Sequence, residues 1–205
     1  RGGKGLVRAR VIERDAHKKQ YRLASTWQGV DVLCDSRAAR LTDRCQPFLI
    51  RFAQSNEAAI GLWKIVSRDR MQLAAHGESD AGMRLTLADN QRQPLGSGAA
   101  GRATAAAQTV SRAELARRYA AVRWQTGLSS ETYARQVDEA AAKGFAVDQG
   151  YTHRGVCTVA TAIADIPPGF CLSASFVAGS RSDVEVEAMG AALLNFAGDL
   201  ARLTA

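Results

Sequence analysis

Short turns between strand-like runs restrict the fold of this chain more than any other feature of its sequence. The runs are residues 58–66, 71–76 and 83–87, and, far along the chain, residues 156–164 and 170–178. Residues 67–70 alone separate the first two runs, and a short turn with Pro-Pro-Gly at residues 167–169 separates the last two. A parallel connection needs roughly a dozen residues or more, so these strands are predicted to pair antiparallel.

Helices are predicted around these strands from apolar spacing and from capping residues. Residues 40–55 place their apolar side chains on one helical face. Ser111 and Ser182 are each followed three residues later by a glutamate, which is the capping-box pattern of a helix start. A further helix over residues 130–143 is predicted to stop at Gly144. The sequence therefore predicts an α+β fold, an antiparallel sheet with flanking helices.

Composition excludes several classes of protein. With 205 residues, of which 46% are hydrophobic, the chain can bury a core. It has no run of about 18 uncharged apolar residues, so a cytoplasmic protein without a membrane span is expected. The four cysteines have no C-x-x-C spacing and the three histidines form no H-x-x-x-H pair, so neither a metal site nor a cofactor is predicted.

Most of the positive charge lies at the start of the chain. Residues 1–24 contain eight Lys or Arg and two acidic residues, against a net charge of +7 for the whole chain. Two strand-like segments here flank a polar turn, so Lys18, Lys19 and Arg22 are predicted near the tip of a hairpin. There they would contact the phosphates of double-stranded DNA. A solvated basic terminus is the alternative interpretation.

Residues 96–101 spell G-x-G-x-x-G, a pattern found in dinucleotide-binding proteins. The preceding residues 90–94 are polar and end in proline, and the next acid, Glu114, belongs to a predicted helix cap. Nucleotide binding is therefore disfavoured. Two interpretations are left open: a flexible Gly/Ala linker, or the start of a helix over residues 99–107 whose free amides bind an anion such as a small carboxylate.

Ser173 and Ser175 alternate with apolar residues, so both hydroxyls are predicted on one face of a strand. Serines on a strand are commonly exposed to solvent, and Asp148, which follows a short apolar run, is commonly a turn residue. The sequence contains no nucleophile elbow, and it places no histidine or acid pair beside these serines. An enzyme is therefore not predicted.

Several stretches, taken in order, resemble the IclR family of bacterial transcriptional regulators. They are residues 11–15 with 21–23, residues 93–103 (QPLGSGAAGRA), residues 143–148 (KGFAVD), and residues 155–156 with 172–175 (GV and LSAS). The resemblance covers essentially the whole chain. It implies the C-terminal part of a winged helix over residues 1–24, a linker helix over residues 25–39 and a GAF-like effector domain over residues 40–205.

The resemblance also implies a function and a binding site. The protein would bind a DNA operator as a homodimer or a dimer of dimers, and it would sense a small organic effector, a carboxylate or an aromatic compound. A small-molecule sensor domain without DNA binding is the alternative. By position in the family motifs, the effector-binding residues are Met83, Leu85, Ser97, Gly98, Ala99, Ala100, Asp148, Thr158, Ser173 and Ser175.

The chain departs from the family motifs at several positions. Gly96 replaces the usual histidine, Arg102 the usual lysine and Phe176 the usual glycine. Gly96 and Phe176 are expected to change the bulk near the effector pocket. The effector therefore cannot be assumed to match that of any relative.

Overall fold

The computed structural model describes residues 12–14, 21–23, 25–82 and 84–204, with side chains from residue 37 onward. The elements in chain order are β1 (Ile12–Arg14), β2 (Tyr21–Leu23), α1 (Ser25–Asn56), β3 (Ala59–Ile65), β4 (Arg70–Gly77), β5 (Arg92–Pro94), α2 (Gly98–Ala107), α3 (Arg112–Ala120), α4 (Ser130–Lys143), β6 (Ala146–Gln149), β7 (Val156–Ile163), β8 (Phe170–Val177) and α5 (Asp183–Arg202). No helix within these ranges is long and apolar enough to cross a membrane.

The main sheet has six strands in the order β5-β4-β3-β8-β7-β6, and every neighbouring pair is antiparallel. The antiparallel pairing predicted from the turn lengths is confirmed. β8 comes from the far end of the chain, yet it lies in the middle of the sheet between β3 and β7. This arrangement brings residues of distant segments into register, with Ser175 opposite both Ala59 and Thr158.

Helices cover both faces of the sheet, as the predicted α+β class requires. On one face α1 and α5 bury a core that includes Leu41, Leu49, Leu193 and Leu200. On the other face α2 packs closely through its alanines against Trp63 and the sheet. α3 and α4 form a smaller cluster behind α2 around the fully buried Tyr133.

The two helical segments predicted before the sheet form one helix. α1 runs without a break from Ser25 to Asn56 and contains Pro47. The weak apolar period of residues 26–39 therefore belongs to the same helix as the clear apolar face of residues 40–55. The proposed boundary at residue 39 does not coincide with a helix end, and the division into domains stays a prediction.

The strand predicted over residues 83–87 is wrong for residues 84–87, which form no strand. The third strand of this region is β5, and it pairs with β4 through Met71 and Gln93. The alternation of Leu85 and Leu87 has another physical cause, because both leucines line a cavity instead of joining a hydrogen-bonded ladder.

The predicted helix ends agree with the structure in most details. The Ser182 capping box is complete, and α4 ends at Gly144, whose φ of 82° is the left-handed value that favours glycine. Ser111 accepts a hydrogen bond from the Glu114 amide as predicted, but the Glu114 carboxylate turns to Arg117 instead of completing the box. An ion pair has replaced half of that capping motif.

The predicted basic hairpin is only partly described. β1 and β2 pair antiparallel, with Glu13 opposite Arg22. Lys18 and Lys19 lie outside the described residues, and for Arg22 only the backbone is described. Their contact with DNA stays a prediction.

Candidate functional site

A cavity of about 190 Å³ lies between the sheet, the start of α2 and the segment that precedes β5. Nine of the ten predicted effector-binding residues line it: Leu85, Ser97, Gly98, Ala99, Ala100, Asp148, Thr158, Ser173 and Ser175. The tenth, Met83, lies outside the described residues. The fold thus gathers residues from five separate segments of the chain into one place.

The start of α2 faces this cavity with unpaired amides. Ser97 is the N-cap in extended conformation, and its side chain makes no capping bond. The first intrahelical bond runs from the Gly101 amide to the Ser97 carbonyl at 2.8 Å. Among the described residues none accepts a hydrogen bond from the amides of Gly98, Ala99 or Ala100. These donors and the helix dipole favour an anion or a polar oxygen.

The glycines of the 96–101 motif serve close backbone packing. A Cβ at Gly101 would lie 2.2 Å from the carbonyl carbon of Gly96, and a Cβ at Gly96 would lie 2.6 Å from the Arg118 carbonyl oxygen. Gly98 adopts a φ of +58°, and a Cβ there would lie 3.1 Å from Thr152 Oγ1. The motif is a tightly packed helix start, so the flexible-linker interpretation is wrong.

The two serines of β8 both reach the cavity, as the alternation predicted. Ser173 Oγ accepts a hydrogen bond from Trp63 Nε1 at 2.9 Å, so its hydroxyl proton is free to be donated. Ser175 Oγ and Thr158 Oγ1 are 3.0 Å apart and share a hydrogen bond. The expectation that strand serines face solvent does not apply here, since Ser173 and Ser175 are both buried.

Trp63 forms part of the cavity wall and was not identified from the sequence. Its side chain lies over Gly61, where a Cβ would be 2.9 Å from Trp63 Nε1. Because residues two apart on a strand share a face, the Gly61-x-Trp63 spacing was an available signal for a flat aromatic wall. The other lining residues that were missed are Thr86, Leu87, Gln91, Gln93, Thr152, His153 and Val156.

Asp148 is both a turn residue and a wall residue. Its side chain is 3% exposed, and Arg102 Nη1 lies 3.1 Å from its Oδ2. Thr152 Oγ1 donates to the same oxygen at 2.7 Å, and the Tyr151 amide donates to Oδ1 at 2.7 Å. A buried carboxylate requires such partners, because burial without them costs several kcal/mol.

The lining is otherwise mostly neutral. Of the described residues that line the cavity, Asp148 and His153 are the ones with ionisable side chains. Apolar surface comes from Trp63, Leu85 and Leu87, and amide groups come from two glutamines. Such a site can hold a small molecule with one polar end and one apolar end.

Gly96 and Phe176 do not line the cavity, so the expectation that they change its bulk is wrong. Successive residues on β8 face opposite sides of the sheet, and Phe176 therefore points away from Ser175 into the core. The Arg181 guanidinium lies 4.4 Å from the Phe176 ring. Gly96 lies on the far side of the helix start, where Tyr133 Oη donates to its carbonyl at 3.1 Å.

Among the residues that the structure describes, the site contains no arrangement typical of nucleophilic catalysis or metal binding. Within the described residues, the hydrogen-bond partners of Ser173 and Ser175 are Trp63 and Thr158, and neither is a general base. The same part of the chain contains no group of three or more His, Cys, Asp or Glu that could hold a metal ion.

Comparison with known proteins agrees with this architecture. The family model described as bacterial transcriptional regulator IclR C-terminal matches residues 37–202. The structure is similar to an IclR transcriptional regulator from Alicyclobacillus acidocaldarius, with a TM-score of 0.65, 19% identity, and coverage of 98% of this chain and 82% of that chain. A comparison with curated proteins finds no match.

Two other solved structures have the same fold. The IclR protein of Thermotoga maritima has a TM-score of 0.68 and 17% identity, and the match covers 97% of this chain and 81% of that chain. The C-terminal domain of the Escherichia coli transcriptional regulator KdgR has a TM-score of 0.62 and 19% identity, with coverage of 82% and 98%. At these identities the likeness establishes the fold alone.

Proposed function

Because this chain belongs to the IclR family of bacterial transcriptional regulators, we propose that it senses a small organic acid in the cavity and thereby controls its binding to a DNA operator. The members of this family are regulators and not enzymes. The active form is a homodimer or a dimer of dimers, since a two-fold symmetric operator requires a two-fold symmetric protein.

One observation carries this proposal. Residues that the family motifs mark as effector-binding converge from separate segments on one cavity of about 190 Å³. Two of them, Ser173 and Ser175, are buried polar residues that face this cavity. Unused hydrogen-bonding capacity of a buried group is costly unless a ligand or water satisfies it.

The ligand is a compact molecule with an anionic or polar head. The three free amides at the start of α2 and the Ser173 hydroxyl supply donors for its oxygens. Trp63 and the two leucines of residues 85–87 supply an apolar wall for its body. The cavity is smaller than the roughly 300 Å³ at which typical ligand pockets begin, which favours a short or single-ring carboxylic acid.

DNA binding is assigned to the basic hairpin. Lys18, Lys19 and Arg22 would each neutralise a phosphate, so affinity for duplex DNA should fall steeply with salt. Changing all three to glutamate should flatten the slope of log affinity against log salt by roughly 0.9 per lost contact. An unchanged slope would contradict the assignment of these residues to the wing.

The effector is tested by a thermal-shift screen of small carboxylic acids. A ligand at about 100 times its dissociation constant stabilises a protein by about 2.7 kcal/mol, which is readily measured. Acids that raise the melting temperature are then added to a DNA-binding assay, where they should change the operator affinity. If no acid or neutral polar compound stabilises the protein, the effector-binding proposal fails.

A further inference from the structure

A buried arginine lies directly behind the cavity wall. The Arg102 side chain is 0% exposed and comes from α2, one turn after the three free amides. Its guanidinium carbon lies 5.5 Å from the Tyr133 ring centroid, 5.7 Å from that of Trp124 and 5.8 Å from that of Tyr151. Three aromatic rings therefore lie around the cation, and none of these three residues lines the cavity.

Arg102 has one acidic partner in the described part of the chain. Its Nη1 donates to Asp148 Oδ2 at 3.1 Å, while its Nε and Nη2 have no hydrogen-bond partner among the described residues. Its side chain is fully buried, so bulk water does not screen its charge. Its positive charge therefore acts on Asp148 and on the cavity beyond it.

Asp148 has no acceptor capacity left for a ligand. Its Oδ1 accepts from the amides of Tyr151 and Thr152 at 2.7 and 3.4 Å. Its Oδ2 accepts from Arg102 and from the Thr152 hydroxyl at 3.1 and 2.7 Å. A carboxylate offers about four lone-pair sites, and all four are in use. Asp148 therefore influences a ligand through its charge and not through a direct hydrogen bond.

The charge balance of the site depends on this pair. Apart from Asp148, the residues that line the cavity carry no permanent charge, and no lysine or arginine is among the described ones. The start of α2 adds only about half a positive charge. Without Arg102 the Asp148 charge would outweigh the helix and repel a carboxylate.

We propose that Arg102 is the residue that determines the charge specificity of this site: it neutralises Asp148 from behind the wall, so that the amides of α2 can donate hydrogen bonds to a carboxylate. The inference rests on the proposed function, which provides the ligand. Arg102→Lys keeps the charge and should keep the preference for carboxylates, although the planar contact with the rings is lost.

The test measures matched pairs of probes by titration calorimetry on the whole chain at pH 8. Benzoate with benzamide and isobutyrate with isobutyramide differ mainly in charge. A unit charge about 8 Å away at an effective dielectric of about 20 changes an affinity by roughly 30-fold. Arg102→Met should therefore lower the affinity for the carboxylates by about 30-fold, and Asp148→Asn should raise it by about the same factor. The amide affinities should stay within about threefold.

The double variant Arg102→Met with Asp148→Asn is the control for folding, because it leaves no buried charge unpaired. It should bind the carboxylates within about threefold of the unmodified protein, and its near-UV circular dichroism should be unchanged. A loss of more than about tenfold in the folded double variant would overturn the inference. So would weaker carboxylate binding in Asp148→Asn, since that result would make Asp148 a direct ligand contact.

The two proposals fail in different ways. If the unmodified protein binds neither member of any pair, effector binding itself is wrong and the inference falls with it. If it binds carboxylates and the single variants leave the carboxylate-to-amide ratio unchanged, only the role of Arg102 is wrong.

Discussion

Gly98 is the position where one added methyl group tests the geometry of the site. Its φ of +58° disfavours any other residue, and an alanine Cβ would lie 3.1 Å from Thr152 Oγ1 and 3.4 Å from Asp148 Oδ2. The left-handed backbone costs about 1–2 kcal/mol for alanine. The contact with Thr152 is tighter than an ordinary van der Waals contact, so either Thr152 or the helix start must move.

Two other glycines separate these contributions. Gly155 has a φ of +80° with nothing within 4 Å of an added Cβ, and Gly127 has open space as well, without a left-handed φ. Gly155→Ala should lower the free energy of unfolding by about 1–2 kcal/mol through backbone strain alone. Gly127→Ala should be neutral or more stable by up to about 1 kcal/mol. Gly98→Ala should be the least stable of the three.

The measurement is thermal unfolding followed by a ligand titration. At about 2–4 °C per kcal/mol for a chain of this size, Gly98→Ala should lower the melting temperature by about 3–8 °C. Gly98→Ala should also weaken the binding of any acid found in the screen, because the backbone amide at this position is shifted. Gly155→Ala should leave the binding of these acids unchanged. If Gly98→Ala is as stable as Gly127→Ala and binds acids normally, the close approach of α2 to the Asp148 turn is wrong.

Three further changes have defined outcomes. Replacing Ser173 and Ser175 by alanine should leave the fold intact and cost about 1–3 kcal/mol of acid binding, and equal affinity by calorimetry would place the ligand elsewhere. Burial raises the pKa of the Cys157 thiol to about 11 and that of the Cys171 thiol to about 12. Peptide mass spectrometry should therefore find neither cysteine alkylated in the native protein at pH 8, and rapid alkylation would contradict their burial. Hydrogen bonds from Arg117 and Arg118 lower the pKa of Glu114 to about 2. The contribution of Glu114 to the free energy of unfolding should therefore be complete above about pH 4.5 and be lost as the pH falls toward 2. Glu114→Gln should remove this part of the acid dependence of unfolding, and an unchanged pH profile would refute the ion-pair network.

Local sequence signals determined most of the secondary structure. The α4 helix has the predicted bounds of residues 130–143, and the Ser182 capping box is complete. These signals act within three or four residues, so they need no knowledge of the rest of the fold. Short connections likewise required antiparallel pairing, which the six-stranded sheet confirms.

The errors occurred where a local pattern had two possible causes. The alternating leucines at residues 85 and 87 are as compatible with a strand as with a segment that covers a cavity. Only the pairing of β4 with β5 decides between these two structures. The weak apolar period of residues 26–39 likewise did not reveal that α1 continues to Asn56. Periodicity reports which side chains are buried and not what buries them.

The sequence by itself identified part of the candidate site, since the family motifs named nine residues that line one cavity, but it did not identify Trp63. It did not determine what those residues do there. Whether Asp148 has a free lone pair depends on its contacts with Arg102 and Thr152. Whether Phe176 faces the cavity depends on β8, which lies between β3 and β7. That pairing joins segments more than 100 residues apart, as between Trp63 and Ser173. Charge neutralisation and burial are therefore set by tertiary structure, because they depend on distances between atoms that no local pattern encodes.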